Sequence, residues 1–125
     1  MSKMNVKIDT KEKFHVIRLQ EAGLTANMTG ELAAVLQDCR KREVKNIILD
    51  MTPVRQLDTV FAEFLLDEQQ ASYEMQHSFV ICCLDKKLQT WLDERELLEM
   101  MNVTPTESEA WDIVQMEEIE REFLD

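Results

Sequence analysis

Apolar residues fall along this chain in short strand-like runs separated by longer helical stripes. Two runs, at 6–8 and 14–19, are joined by a polar turn, and a hairpin is their simplest arrangement. Consecutive apolar residues without alternation at 46–50 and 78–84 are typical of strands that are covered on both faces. The pattern therefore predicts a sheet with a hairpin on one side and two buried strands at its centre.

Helical periodicity separates these strands. The first stripe ends in a basic run at 40–42, which suits the negative end of a helix dipole. The last helix opens with a capping box at Thr106 and Glu109, and a short edge strand near Val103 is favoured just before it. The apolar stripes predict helices over 28–39, 59–75, 86–96 and 110–119.

The helix predicted over 59–75 has a polar and an apolar face. The polar face consists of Glu63, Asp67, Gln70 and Glu74, and the apolar face of Val60, Phe61, Phe64, Ala71 and Met75. Ala62, Leu66 and Tyr73 lie outside both faces. Peripheral packing is the first interpretation of these three residues, and an apolar contact for a partner is the alternative.

The stretch 116–125 is an acidic C-terminal tail in which Ile119, Phe123 and Leu124 keep helical spacing. A solvated, partly frayed helix end is the default interpretation. Docking on a partner, or on a second copy of the chain as a homodimer, is the alternative.

The loop 51–57 joins a predicted strand to a predicted helix and has an aspartate on each side. The strand before it ends at Asp50, a Thr-Pro turn follows, and Asp58 is placed to cap the next helix by accepting its free first-turn amides. Thr59 is then the first helical residue. We expect its hydroxyl at the rim of the fold, beside the positive end of the helix dipole, where a phosphate would be tolerated and visible to a partner.

Length and charge narrow the class of protein. With 125 residues, of which 45% are hydrophobic and 31% charged, the chain fits a single globular domain, 1–125, with one core. Acidic residues outnumber basic ones by 25 to 14, and the formal charge of −11 disfavours nucleic acid and favours a protein partner with a basic patch. No signal region and no membrane-spanning run is visible, so we expect a cytoplasmic protein without membrane insertion.

Residue patterns for catalysis or metal binding are scarce. The two glycines carry no nucleotide fingerprint, and the carboxylates lie mainly on predicted helix surfaces. Neither His15 nor His77 has a second histidine one turn away, so no metal and no cofactor is expected. Cys39, Cys82 and Cys83 suit a reducing compartment as buried apolar residues, and the adjacent pair should point to opposite faces of a strand.

Asp50, the loop 51–57, the pair Asp58-Thr59 and the helix after it resemble the STAS family, the sulfate transporter and anti-sigma factor antagonist domains. The stretch 103–110 is similar to the family's approach to its last helix. The resemblance implies an α/β fold: an open mixed sheet of about four or five strands with about four helices packed mostly on one face. It also implies that Thr59, directly after the loop aspartate, is the residue that a serine/threonine kinase phosphorylates in partner-switching members.

Two positions depart from the commonest antagonists, which carry a small hydroxyl residue and then glycine after the phosphorylated residue. This chain has Val60 and Phe61 there. The run from Asp58 through Thr59 to Ala62 is more similar to the stressosome branch, which keeps the aspartate and the hydroxyl residue followed by apolar residues and alanine. We expect a free-standing, single-domain module of that kind.

The function implied by this resemblance is non-enzymatic bacterial signal transduction. The domain is expected to regulate transcription by partner switching, binding a serine/threonine kinase or an anti-sigma factor under the control of phosphorylation at Thr59, with a serine phosphatase to reset it. The expected partner-binding residues are Asp58, Thr59, Val60, Ala62 and Leu66, with Asp50 and Asp58 as loop and cap residues. The alternative is an accessory STAS subunit that braces a membrane transport complex, and an enzyme is a distant third.

Overall fold

The computed structural model describes residues 4–124 of the chain. Its strands are β1 (Val6–Thr10), β2 (His15–Leu19), β3 (Gly23–Leu24), β4 (Ile47–Asp50), β5 (Gln56–Leu57), β6 (Phe79–Cys82) and β7 (Val103–Thr104). Its α-helices are α1 (Thr29–Arg40), α2 (Thr59–Glu74), α3 (Lys86–Glu94) and α4 (Glu107–Leu124).

Five strands form the main sheet, in the order β1-β2-β4-β6-β7. β1 and β2 pair as an antiparallel hairpin, and the other neighbours in this sheet are parallel. The predicted hairpin, the two central strands and the edge strand at Val103 are therefore confirmed. β3 and β5 pair with each other in a separate parallel sheet of two strands, which the apolar pattern does not predict.

The central strands bury side chains on both faces, as their unbroken apolar runs predict. On one face, Ile47 and Leu49 pack in the main core with buried residues of α1, α2 and α3. On the other face, Ile48 and Val80 pack in a smaller core with Ala110 and its neighbours on α4. Three helices cover one face and α4 covers the other, which confirms the expected mixed sheet with its helices mostly on one side.

The apolar face of α2 differs from the predicted one. Val60 and Met75 are 55% and 50% exposed, whereas the buried residues of the helix are Phe61, Ala62, Leu65 and Ser72. The buried face is thus rotated by roughly 100°, the angle between successive helical residues. The predicted polar face is exposed as expected.

An ion pair on the buried side of α2 explains this difference. Arg40 of α1 lies with Nη1 2.7 Å from Glu68 Oε2 and donates from Nη2 to Ser72 Oγ at 2.6 Å. Glu68 and Ser72 are therefore held against α1, although their polarity suggests a solvent-facing position. Hydrophobicity alone cannot reveal a buried face that contains its own polar pair.

The rotation of the buried face removes Ala62 from the surface. Ala62 is fully buried in the main core, so the prediction that it lies on an exposed partner-binding strip is wrong. Leu66 is half-buried and packs against that core, while Tyr73 is 79% exposed.

The adjacent cysteines also differ from the prediction. β6 ends at Cys82, and Cys83 has a positive φ of 64°. The two residues therefore do not alternate across a strand, and the expectation that they point to opposite faces is wrong. Cys39 and Cys82 are buried as expected, and Cys83 is half-buried.

α4 is continuous through 18 residues and includes most of the acidic stretch predicted to fray. Two glutamates of that stretch accept hydrogen bonds from residues outside it: Glu117 from Ser78 Oγ at 2.6 Å, and Glu118 from Asn46 Nδ2 at 2.7 Å. Glu117 and Glu118 are thus held by contacts with the rest of the fold, whereas Phe123 and Leu124 are 85% and 84% exposed, as expected of a solvated helix end. Asp125 lies outside the described residues. No helix within residues 4–124 has both the length and the apolar character that a membrane span requires.

Candidate functional site

Asp50 closes the sheet end of the loop 51–57. Its side chain is 7% exposed, and Oδ1 accepts hydrogen bonds from the backbone N–H of Thr52 at 2.9 Å and from the Thr52 hydroxyl at 2.5 Å. The backbone N–H of Val54 donates to the carbonyl of Met51 at 3.0 Å. The loop therefore leaves β4 through a turn that the Asp50 side chain stabilises.

The surroundings of Asp50 favour its charged form. Burial raises the pKa of its carboxyl group, but hydrogen bonds with Glu107 and Thr52 and the positive charge of Arg18 outweigh burial, so the pKa is lowered. Arg18 in turn donates to both oxygens of Glu107, from Nε at 3.0 Å and from Nη2 at 2.8 Å. Asp50 is thus part of a charged network that joins β2, β4 and the start of α4.

Asp58 fastens the other end of the loop with both of its carboxylate oxygens. Oδ1 accepts from the backbone N–H of Phe61 at 2.8 Å, which caps α2, and Oδ2 accepts from the backbone N–H of Ala26 at 2.7 Å. The backbone N–H of Asp58 donates to the carbonyl of Leu24 at 3.1 Å. One aspartate therefore ties the first turn of α2 to the segment that precedes α1.

Thr59 is the first residue of α2, and its side chain is exposed. Val60 beside it is 55% exposed, and Glu63 on the next turn is exposed as well. The Thr59 hydroxyl is therefore presented to solvent at the positive end of the helix dipole, on a cap that is held from two sides.

The small sheet of β3 and β5 supports this end of α2 from the side. A surface cleft of about 400 Å³ separates it from α3, and Asp58, Arg55, Lys87 and Trp91 contribute to the cleft lining. Two cations thus lie near the cap of α2 in a chain that is strongly acidic overall. Two-residue strands have no periodicity, so the sequence gives no signal for this support beyond isolated apolar residues at Leu24 and Leu57.

Leu66 lies two turns along α2 from Thr59, on nearly the same side of the helix. It lines a shallow groove of about 230 Å³ with Gln69, Gln70, Tyr73 and Met100. Tyr73 and Met100 are 79% and 50% exposed. The predicted partner residues are therefore divided: Asp58, Thr59 and Val60 lie together, Leu66 lies at a second surface on the same helix, and Ala62 lies inside.

The histidines have structural surroundings. His15 is fully buried, with Nδ1 2.8 Å from the Thr10 hydroxyl and Nε2 2.7 Å from the carbonyl of Val44. His77 is half-buried, and burial together with nearby cations lowers its pKa. Neither ring lies in a cluster of metal ligands among residues 4–124.

The model of the STAS domain family matches residues 5–110. The chain therefore belongs to the STAS family. The matched stretch contains the whole main sheet, the loop 51–57 and the pair Asp58-Thr59. No curated protein matches the chain.

Solved structures share this fold at low sequence identity. A Ser-to-Glu variant of RsbS from Moorella thermoacetica has a TM-score of 0.73 at 16% identity, over 88% of this chain and 94% of its own. The anti-sigma factor antagonist SpoIIAA in its unphosphorylated form has a TM-score of 0.69 at 17% identity, over 89% of this chain and 96% of its own. A structure of the stressosome, described as a signal integration and transduction hub, has a TM-score of 0.66 at 13% identity, over 87% of this chain and 96% of its own. At these identities the likeness establishes the fold.

Proposed function

We propose that this STAS domain is a non-enzymatic partner switch of the anti-sigma factor antagonist type. The unmodified domain binds a serine/threonine kinase or an anti-sigma factor through the start of α2, and phosphorylation of Thr59 ends or redirects that binding. A serine phosphatase resets the switch. The observation that carries the proposal is the exposed side chain of Thr59 on a helix start that Asp58 fixes through two backbone N–H groups.

The fold that this chain shares with SpoIIAA and with a stressosome protein supports the class of function. The cleft beside the cap and the exposed Val60 give the start of α2 a mixed polar and apolar surface of the kind that protein partners cover. Leu66, with the groove next to it, extends the proposed contact along the helix.

A phosphate on Thr59 would act on the complex more than on the free domain. It adds about −1.5 to −2 charges, and the N-terminus of a helix accommodates such charge locally. Both oxygens of Asp58 keep their backbone partners, so the helix start has no reason to move. A partner that covers Thr59 would have to desolvate the phosphate beside Asp58 and Glu63, and we expect a loss of affinity of roughly a hundredfold or more.

Affinity capture tests this proposal. The wild-type chain serves as bait in its native cell extract, and mass spectrometry identifies the bound proteins and maps phosphate on the bait. We expect a serine/threonine kinase or an anti-sigma factor with the wild-type bait, a much weaker yield with Thr59→Glu, and phosphate on Thr59.

The matched control is Ser108→Glu. Ser108 is an exposed hydroxyl residue in the first turn of α4, on the opposite face of the sheet, so Ser108→Glu places the same charge in the first turn of a different helix. This control should capture the same partner as the wild-type chain. Equal capture by Thr59→Glu would contradict the switch, and recovery of transporter subunits in place of a kinase would favour a bracing role.

A further inference from the structure

The carboxyl-terminal ends of β4 and β6 bring a carboxylate and two thiols together. Asp50 is the register partner of Cys82 across these parallel strands. One ligand atom from each of Asp50, Cys82 and Cys83 lies within 4.8 Å of the other two. Asp50 and Cys82 are buried and Cys83 is half-buried, so the cluster sits at the edge of the core.

The backbone at Cys83 makes this arrangement possible. Its φ of 64° lies in the left-handed region, which residues other than glycine rarely adopt. Within residues 4–124, the other non-glycine residues with positive φ are Gln76 and Glu96, and each follows a helix C-cap, where this conformation is common. Cys83 follows a strand instead, and its turn places the second thiol near Cys82 rather than on the opposite face.

We propose that Asp50, Cys82 and Cys83 form a binding site for a borderline-soft divalent cation of the Zn²⁺ type. Two thiolates and a carboxylate are ligands that Zn²⁺ takes, at roughly 2.3 Å for sulfur and roughly 2.0–2.2 Å for oxygen, and a water completes the tetrahedron. Ligand atoms of such a tetrahedron are about 3.3–3.8 Å apart, so the cluster has to contract by at most about 1–1.5 Å.

Glu107 supports the proposed site from outside. Arg18 holds the Glu107 carboxylate through two hydrogen bonds of 3.0 and 2.8 Å, and both residues influence the charge of Asp50. Such outer partners orient a ligating carboxylate. Because Asp50 also begins the loop 51–57, the ion would tie the end of β6 to the loop that leads to Thr59.

Titration of the reduced, metal-free protein with Co²⁺, followed by Zn²⁺ as competitor, tests this site. We expect a single equivalent of Co²⁺ to bind with a thiolate-to-metal charge-transfer band in the near ultraviolet, and Zn²⁺ to abolish the band by displacement. Cys83→Gly should weaken Co²⁺ binding by roughly a hundredfold and lower the intensity of the band at saturation, because one of the two thiolate ligands is lost. Asp50→Asn should weaken binding by roughly tenfold while the thiolate band persists.

Two features of the variants keep this test decisive. Cys83→Gly removes a ligand and also relieves the positive φ, so its thermal stability should match or exceed that of the wild-type chain. Cys39→Ala removes a buried thiol of α1 outside the cluster and should leave the band intact. A wild-type chain without the band, a band of unchanged intensity and unchanged Co²⁺ affinity in Cys83→Gly, or a band lost in Cys39→Ala would overturn the site.

Discussion

The loop 51–57 has an aspartate at each end, and the two side chains are used in opposite ways. Asp50 is 7% exposed and, besides the backbone N–H of Thr52, interacts with side chains around it, namely those of Thr52, Glu107 and Arg18. Both carboxylate oxygens of Asp58 accept hydrogen bonds from backbone N–H groups, and the side chain of the next residue, Thr59, is exposed to solvent. The exposed hydroxyl of Thr59 therefore lies on a loop end and a helix start that Asp50 and Asp58 hold in place, and we call these two aspartates the support. Changes to the support should therefore affect stability, and changes to Thr59 should affect binding.

The largest expected effect on stability comes from Asp58→Ala, because it removes two hydrogen bonds to a charged acceptor at once. We predict a loss of about 2 kcal/mol in the free energy of unfolding, measured by urea denaturation. Asp58→Asn keeps one oxygen as the cap acceptor for Phe61 but offers an amide in place of the acceptor for Ala26. It should cost about half as much. Equal stability of Asp58→Ala and the wild-type chain would show that the helix start does not depend on this residue.

The next effect concerns Asp50 and is visible as a dependence on pH. The pKa of Asp50 is lowered in the folded chain, so its contribution is present above the pKa of the unfolded chain and is lost as the pH falls through the folded pKa. We predict that Asp50→Asn costs roughly 1 kcal/mol at neutral pH. Because the variant has no carboxyl group to protonate there, its loss of stability between about pH 5 and pH 3 should be smaller than that of the wild-type chain.

Urea denaturation across that pH range checks the prediction, with Asp112→Asn as the control. Asp112 is an exposed aspartate on α4, so its replacement changes the charge of the chain by the same amount without touching the loop. If Asp50→Asn and Asp112→Asn gave the same pH profile, the charged network at Asp50 would have no separate role.

The smallest effect is expected for Thr59→Ala. An exposed residue in the first turn has no packing to lose, and alanine favours the helix, so the change should be less than about 1 kcal/mol in thermal or urea unfolding. A loss of several kcal/mol would mean that the hydroxyl is structural. The physical basis of the switch would then be removed. The distinction between the stabilising aspartates and the exposed Thr59 hydroxyl would be lost as well.

The sheet, the helices and the cap could be predicted because their signals are local. Unbroken apolar runs identify β4 and β6, and an aspartate directly before a helical stripe identifies the cap of α2. These signals need only a few neighbouring residues in the sequence, so they survive without knowledge of the tertiary structure.

The features that could not be predicted depend on distant residues. Arg40 and Glu68, which turn the buried face of α2, are 28 positions apart, and Ala26 and Asp58 are 32 apart. No spacing rule connects such pairs. Cys83 is a different case. Strand periodicity assumes an extended backbone at every residue, so it cannot predict the left-handed conformation of Cys83.

Calorimetric titration is the most direct test of the proposed switch. The partner recovered with the wild-type bait is titrated with the unmodified chain, with the chain phosphorylated on Thr59 and with Thr59→Glu, and amide spectra are recorded for each free form. We predict affinity that is weaker by roughly a hundredfold or more for the phosphorylated chain, an intermediate loss for the single charge of Thr59→Glu, and spectral changes confined to the start of α2. Equal affinity for all three forms would contradict the switch, and spectral changes far from Thr59 would contradict local repulsion as its mechanism.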